Sequence, residues 1–548
     1  MNKPKITLIL WILFYIFIFS YILNFSLSGL DPDFGWHIKV GQGIMEEKAV
    51  PNFEHYNFTL AGQKWVDHEW LINALTYIIY DNLGYLAVNI FFALLFVLIL
   101  AILHFFTKKY ILAGKNGDFF IFIFLALGAF ACLPHLGVRI QEITILNLLL
   151  LFIIIHFYNI NKNWKILFFL PPLFYFWANT HAGFLIGIFV LFFWLFIKIL
   201  ELIINKYNIL KLFPNKIKRF FAFLNFINID ESLNLKYIII FFGLAVLSVL
   251  TTLFTPYGLK LYEFLGDYFK NTIYLKLIME WQSFYYLPIQ YLQLLYSAFF
   301  IIIILFSAIK FFNEGRTKPI NLWDISAAAF FFLLAFKSKR NFPLFFVSSF
   351  PIIVYFFSDF FVIPDKFKIK NWPKQFIIIK IFLIIALLLL SFNRLLTANY
   401  IEDPFIFFKN SHPYKAAQYL KKHPELDTNL LSIYNWGGYL IWTLPEKKLF
   451  IDGRLSQYPY AGHTLMEEYY EFYNKDKIED KINEYNIKLI LLNSREDPYK
   501  LNWIDKYFLL FNQEKINKTE NNLKNYLDGS SGWKVLYRDD VATVYSRL

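Results

Sequence analysis

Apolar runs of about 20 residues recur along this chain from Ile6 to Leu396, each long enough to cross roughly 30 Å of hydrocarbon as a helix. No other feature constrains the fold as much, because a helix that is apolar on every side must be surrounded by lipid or by other helices. A soluble globular protein is excluded: 57% of the 548 residues are hydrophobic, 17% are charged, and 67 are Phe. The expected fold class is an α-helical polytopic membrane protein. The runs are read as spans at 6–27, 84–106, 119–137, 140–158, 165–180, 182–204, 237–256, 290–309, 321–336, 341–361 and 375–396. These eleven crossings place the termini on opposite sides of the membrane.

A net charge of +12 would suit a nucleic-acid partner, but the Lys and Arg residues concentrate in short loops between spans, so no nucleic acid is expected. With the N-terminus inside, the cytoplasmic loops hold Lys108 and Lys109; Lys162 and Lys165; Lys206, Lys211, Lys216, Lys218 and Arg219; Lys310, Arg316 and Lys318; and Lys366, Lys368, Lys370 and Lys374. Each of these loops obeys the positive-inside rule, and Trp164, Trp323 and Trp372 fall at the same boundaries, where an indole favours headgroup depth. The expectation is a multi-pass protein of the plasma or inner membrane, N-terminus cytoplasmic and tail extracytoplasmic. Lys3 and Lys5 precede a first run that spans and lacks a small-residue cleavage site, so it reads as a retained helix. The single cysteine, Cys132, lies within a span, which leaves no intramolecular disulfide and no Cys-based zinc site.

A transmembrane unit, 1–396, thus carries two outer segments, 28–83 and 257–289, and is followed by a soluble unit, 397–548. The first outer segment holds two amphipathic stretches, about 36–48 and 67–81, separated by turn signals, and should be a folded loop. In the tail, Tyr414–Lys422 reads as helix and Asn429–Tyr434, Lys448–Asp452 and Ile487–Leu492 as strands. Residues 463–485 have helical periodicity, Lys534–Asp539 and Val541–Ser546 form a hairpin pattern, and the Asn- and Lys-rich residues 512–528 read as a mobile insertion. An extracytoplasmic α/β domain is expected.

The densest polar cluster follows the first span: Asp31-Pro32-Asp33-Phe34-Gly35-Trp36-His37. Taken alone it is a helix start, with Asp31 as N-cap, Pro32 in the first turn and Asp33 facing the dipole. Asp67, in Trp65-Val66-Asp67-His68-Glu69-Trp70, likewise reads as a cap. Together, however, the clusters set Asp31, Asp33, His37, Asp67, His68 and Glu69 on one loop at the bilayer surface, a set that could supply a general base or a divalent metal site. No P-loop, dinucleotide glycine fingerprint or nucleophile elbow is present, which disfavours nucleotide-driven transport and serine hydrolysis.

The stretch from Asp31 through Gly41 and Pro51 to Trp65-Val-Asp-His-Glu-Trp-Leu71 resembles the first outer loop of a bacterial family of polytopic proteins grouped with the GT-C glycosyltransferases. The resemblance runs on through Trp177-Ala-Asn-Thr-His-Ala-Gly-Phe184, Pro256-Tyr-Gly258, Glu280-Trp-Gln282, Arg340-Asn-Phe-Pro-Leu344, Tyr434-Asn-Trp-Gly-Gly-Tyr439 and Ile451-Asp-Gly-Arg454. Two departures stand out: Gly35 occupies a place where a bulky aromatic is expected, and Arg139-Ile140-Gln141 lacks a proline. The resemblance implies a GT-C-like fold and a hexosyl- or pentosyltransferase that moves a sugar from a polyprenyl-phosphate-linked donor to an extracytoplasmic acceptor. It implies Asp33 and Asp31 as catalytic, or as ligands, with Asp67 and Glu69, of a divalent metal such as Mg or Mn.

The leaving phosphate needs a cation, and Arg340, with Lys337 and Lys339 nearby, is the first candidate and Arg139 the second. Arg340 as an interfacial anchor is the alternative. His37, Asp67, His68, Glu69, His181, Glu280 and Trp436 are candidates for the acceptor side or for support, although His181 also suits a tight turn. The segment around Trp436 is expected at the working edge of the tail, against the alternative that Trp436 packs in the domain core. Two other functions compete: a transporter or flippase of lipid-linked saccharides, and a noncatalytic assembly partner. Most acidic residues lie in outer loops, not mid-span, which favours the transferase.

Overall fold

The structure, a computed structural model, describes residues 3–114, 117–207, 227–228, 234–270, 273–284, 286–314, 320–361, 385, 411–426, 429–495, 499–513 and 521–548. The membrane half runs α1 (Lys3–Leu27), α2 (Phe34–Glu47), α3 (Trp70–Phe106), α4 (Asp118–Cys132), α5 (Gln141–Asn161), α6 (Leu170–Thr180), α7 (Phe184–Tyr207), α8 (Leu235–Thr251), α9 (Leu259–Lys270), α10 (Tyr291–Glu314), α11 (Leu322–Lys337) and α12 (Phe342–Phe360). Among the described residues, seven helices, built on α1, α3, α4, α5, α7, α10 and α12, are long and apolar enough to cross a membrane. The chain is therefore a polytopic helical membrane protein, as its hydropathy predicts.

The expected spans 165–180, 237–256 and 321–336 are the shorter helices α6, α8 and α11. The first is built in two pieces, a 3-10 stretch Trp164–Phe169 and then α6, because Pro171 and Pro172 lack N–H groups and fit only in a helix's first turn. The expected span 375–396 and Trp372 lie outside the described residues. Trp164 is exposed at 44% as expected, but Trp323 is buried at 2%, packed on Phe152 and Phe193, so it is core and not a headgroup anchor.

The expected outer segment 28–83 comprises α2, a turn-rich stretch to Glu69 and the first part of α3. Its helix α2 lies against the first turns of α3 so closely that a Cβ on Gly41 would meet the Asn73 carbonyl oxygen at 2.2 Å. The stretch 67–81 and the span 84–106 form one helix with a kink at Gly84, whose φ of 79° is open to glycine but strained for other residues.

The tail contains α13 (Tyr414–Lys422), β1 (Leu430–Ser432), α14 (Gly437–Thr443), α15 (Leu465–Glu471), α16 (Ile478–Glu484), β2 (Leu489–Asn493), α17 (Trp503–Tyr507), α18 (Asn522–Gly529), β3 (Trp533–Arg538) and β4 (Ala542–Arg547). Its sheet has the order β1-β2-β4-β3, with β1 parallel to β2 and the other neighbours antiparallel. The helix expected over 463–485 is split into α15 and α16, and the insertion expected over 512–528 is helical from Asn522, with Leu523 and Leu527 buried. The strand expected over Lys448–Asp452 makes only bridges at Leu449, to Leu430 on one side and to Asn57 of the outer loop on the other. Loop and tail thus share backbone hydrogen bonds, Leu449 N to Tyr56 O and Phe58 N to Leu449 O, both at 3.0 Å.

A buried ion pair seals the same seam. Arg454 donates to Asp452 at 2.9 and 2.7 Å and to Glu54 of the loop at 3.1 Å, with its guanidinium over the rings of Tyr56 and Trp65. Nearby, α14 crosses α2 at two glycines. A Cβ on Gly35 would lie 2.3 Å from the Gly438 carbonyl oxygen, and one on Gly438 would lie 2.1 Å from that of Pro32. The small residue at position 35 has its physical reason here: a bulky aromatic would force the two helices apart.

Candidate functional site

The turn after α1, the α4–α5, α6–α7 and α11–α12 turns, and Glu280 converge at one end of the bundle. Asp31, Asp33, His37, Glu69, Arg139, His181, Glu280 and Arg340 line one small polar cavity there. The structure brings together all the residues proposed for catalysis and phosphate binding, and four of those proposed for support, His37, Glu69, His181 and Glu280.

Neither aspartate caps as the sequence pattern predicts. Helix α2 begins at Phe34 with Asp33 at the cap position, but the Asp33 side chain makes no capping bond; its Oδ1 accepts from Trp36 Nε1 at 3.0 Å. Asp31 lies outside the helix, accepts from the Asp33 N–H at 3.0 Å, and pairs with Arg139 Nε at 2.7 Å. A Cβ on Gly453 of the tail would stand 2.3 Å from Asp33 Oδ1, so the tail backbone forms the wall beside this carboxylate. Burial and then the Asp31 charge push the Asp33 carboxyl up from 3.8 to about 7, against the lowering effects of the Trp36 hydrogen bond and Arg139.

Arg139 and Arg340 are joined by one carboxylate. Arg139 Nη1 meets Glu280 Oε2 at 2.6 Å and Arg340 Nη1 meets Glu280 Oε1 at 2.5 Å, with the Arg340 guanidinium 4.7 Å from the Trp281 ring centre. Burial pushes the Glu280 carboxyl up, but Arg340 and then Arg139 outweigh it and hold it down at about 2. Glu280 is therefore an ionised bridge between two cations. Lys339 differs from both: 2% exposed, it donates to the carbonyl oxygens of Tyr286 and Pro288 at 3.3 and 3.4 Å, with no carboxylate within ion-pair distance among the described residues.

Behind Asp33 lies a carboxylate ringed by imidazoles. Glu69 is 3.4 Å from His181, 3.6 Å from His68 and 3.9 Å from His37. The Gly183 N–H donates to His181 Nδ1 at 2.9 Å, which assigns the His181 proton to Nε2, facing Glu69. Asn73 donates Nδ2 to both Asp67 oxygens, so its Oδ1 accepts from His37 Nδ1 at 2.7 Å. Burial pushes His37 down to about 3 and, with Arg340, His68 to about 4, so both are neutral at pH 7. Burial, followed by the Asp67 and Asp33 charges, raises Glu69 well above the usual carboxylate range.

Asp67 itself points away from the cavity into this Asn73 bond, and its own burial raises it to about 6. Trp436 is 4% exposed, donates Nε1 to the Ser411 carbonyl oxygen, and belongs to the core of the tail, not to its working edge. For the metal expected at Asp31, Asp33, Asp67 and Glu69 the donors diverge, Asp31 toward Arg139 and Asp67 toward Asn73. Among the described residues no group of three His, Cys, Asp or Glu side chains is placed to hold a metal ion.

A larger cavity of about 550 Å³ opens from this cluster toward the tail. Its floor carries Asp31, Asp33, Arg139, Glu280 and Lys339, and its tail wall, including Tyr434, Asn435, Tyr469, Tyr470, Tyr473 and Asn493, bears no charged side chain. The Tyr and Asn wall escapes sequence inspection because those residues come from the turn before α14, from α15 and the turn after it, and from the end of β2.

No protein-family model matches the chain, and no curated protein matches it. Among solved structures, the chain is similar to the oligosaccharyltransferase of Archaeoglobus fulgidus in its apo form, with 11% identity and a TM-score of 0.45 over 88% of this chain and 69% of that one.

Proposed function

We propose that this protein is an integral membrane glycosyltransferase of the GT-C type that transfers a sugar from a polyprenyl-phosphate-linked donor to an extracytoplasmic acceptor. One observation carries the reading: a single cavity sets Asp33, whose carboxyl is pushed up to about 7 by burial and the Asp31 charge, on the same floor as Lys339 and Arg139. An acceptor hydroxyl is a weak nucleophile, and a carboxylate that titrates near neutral pH is matched to taking its proton. The acceptor oxygen attacks the anomeric carbon, the bond from that carbon to the phosphate oxygen breaks with its electron pair going to the phosphate, and the hydroxyl proton passes to Asp33. The departing prenyl phosphate gains negative charge, which Lys339, with no carboxylate within ion-pair distance among the described residues, stabilises; Arg139 assists.

Asp31 and Glu280 hold Arg139 in place, and Arg340 acts through Glu280. The neutral wall of tyrosines and amides suits a polyhydroxyl acceptor, since rings pack on sugar faces and amides both donate and accept hydrogen bonds. The test is transfer by purified protein in lipid nanodiscs, using a panel of prenyl-phosphate sugars and glycan acceptors read by mass spectrometry. Transfer by the wild type and its loss in Asp33→Asn, at an undiminished melting temperature, support the reading. Movement of lipid-linked saccharides across vesicles without bond formation would establish the flippase instead.

A further inference from the structure

Helix α17 and the turn after it carry large apolar side chains in water-facing positions: Trp503 is 62% exposed, Tyr507 76%, Phe508 72% and Leu510 79%. Single exposed apolar residues are ordinary, but a run of this size on one turn marks a contact surface. Its position in the fold identifies the partner. Asn502, the N-cap of α17, donates Nδ2 to the Tyr291 hydroxyl at 3.0 Å, and the buried Asp505 carboxylate accepts from that same hydroxyl.

Tyr291 is the first residue of α10, whose apolar window Tyr291–Ile309 is 19 residues long. At about 1.5 Å per residue that window spans roughly 28 Å, so Tyr291 stands at the edge of the hydrocarbon. Leu292 and Leu295, in the first turns of the same helix, are 43% and 46% exposed, which is lipid-facing surface. The α17 turn is therefore held one hydrogen bond away from headgroup depth. Exposed Lys500 and Lys506 flank it, as suits lipid phosphates, and aromatic rings are the side chains favoured in that layer.

We propose that Trp503, Tyr507, Phe508 and Leu510 form a finger that inserts into the headgroup layer of the adjacent leaflet, with Asp505 clamping it to the start of α10. The finger ties the tail to the bilayer independently of any chemistry in the cavity. The experiment uses the full chain in phosphatidylcholine–phosphatidylglycerol nanodiscs with a nitroxide on Tyr507→Cys, Cys132 being buried, and a control label on Asp540→Cys in an exposed turn of the tail. Power saturation with oxygen, which partitions into lipid, and a water-soluble nickel chelate should give a ratio several-fold higher at position 507 than at 540. Equal ratios would overturn the proposal and leave the turn as a surface for water or for another protein.

Discussion

Replacing Arg454 with Met should uncouple the outer loop from the tail. The guanidinium meets Asp452 at 2.9 and 2.7 Å and Glu54 at 3.1 and 3.0 Å, and both carboxylates are 1% exposed or less. Met fills much of the volume but strands two anions in a water-free seam. Breaking one side of a buried pair costs about 3–5 kcal/mol, and loss of the cation above Tyr56 and Trp65 lies within that figure. For a cooperative unit the size of this tail, the drop in melting temperature is on the order of 10 °C.

Thermal unfolding of the purified full chain, followed by near-UV circular dichroism, measures the loss, and protease sensitivity of residues 50–66 reports whether the seam has opened. A triple variant, Glu54→Gln, Asp452→Asn and Arg454→Met, should recover most of the stability, because removing every charge leaves none unpaired. Arg454→Met melting within about 1 °C of wild type, or a triple variant as unstable as the single, would refute the reasoning.

The Asp33 carboxyl, raised from 3.8 to about 7, should give kcat/KM an acidic limb that climbs as pH rises toward 7 and then levels, and Asp31→Asn should move that limb to lower pH. The same shift has a stability sign: its contribution is full below the ordinary carboxylate range and is lost as pH rises from there through about 7, so Asp33→Asn should flatten the fall in melting temperature between about pH 4 and 7. Gly453→Ala places a methyl 2.3 Å from Asp33 Oδ1 and should lower turnover by roughly 10²-fold. Gly43→Ala, which meets nothing within 4 Å, should leave turnover unchanged. Glu280→Gln removes the anion between Arg139 and Arg340, so inhibition by prenyl phosphate should tighten while turnover falls, as a titration of initial rates would show.

Seven of the eleven expected spans were legible because length and hydropathy suffice to define them, and the reading failed where packing intervened, as at Trp323, whose indole packs on Phe152 and Phe193 inside the bundle instead of at its rim. In the tail, Tyr414–Lys422 matches its pattern residue for residue, whereas Lys448–Asp452 depends on partners in a loop nearly four hundred residues earlier. The acidic residues around Asp33 could be found because carboxylates beside apolar runs are conspicuous. The Arg139–Glu280–Arg340 bridge could not, since its members lie 141 and 60 positions apart and no local signal joins them. Lys339 was passed over in favour of Arg340 for a related reason: a residue type predicts charge, but only the fold decides which cation already has its counter-ion.

Two glycines of the tail show why loop and tail act as one structure around the cavity. Gly438 touches the peptide of Pro32, and Gly453 touches the Asp33 carboxylate, so residues more than four hundred positions apart in the chain set the location of the proposed base. A shift of the tail by one ångström would move the wall against Asp33 and open it to water, and water would return its carboxyl toward the ordinary range. On that account the pKa of Asp33 reports tail closure. Any substitution that loosens the Arg454 seam should therefore move the acidic limb of the rate profile downward in pH before it unfolds the domain, and a limb that stays fixed while the seam opens would separate the tail from control of Asp33.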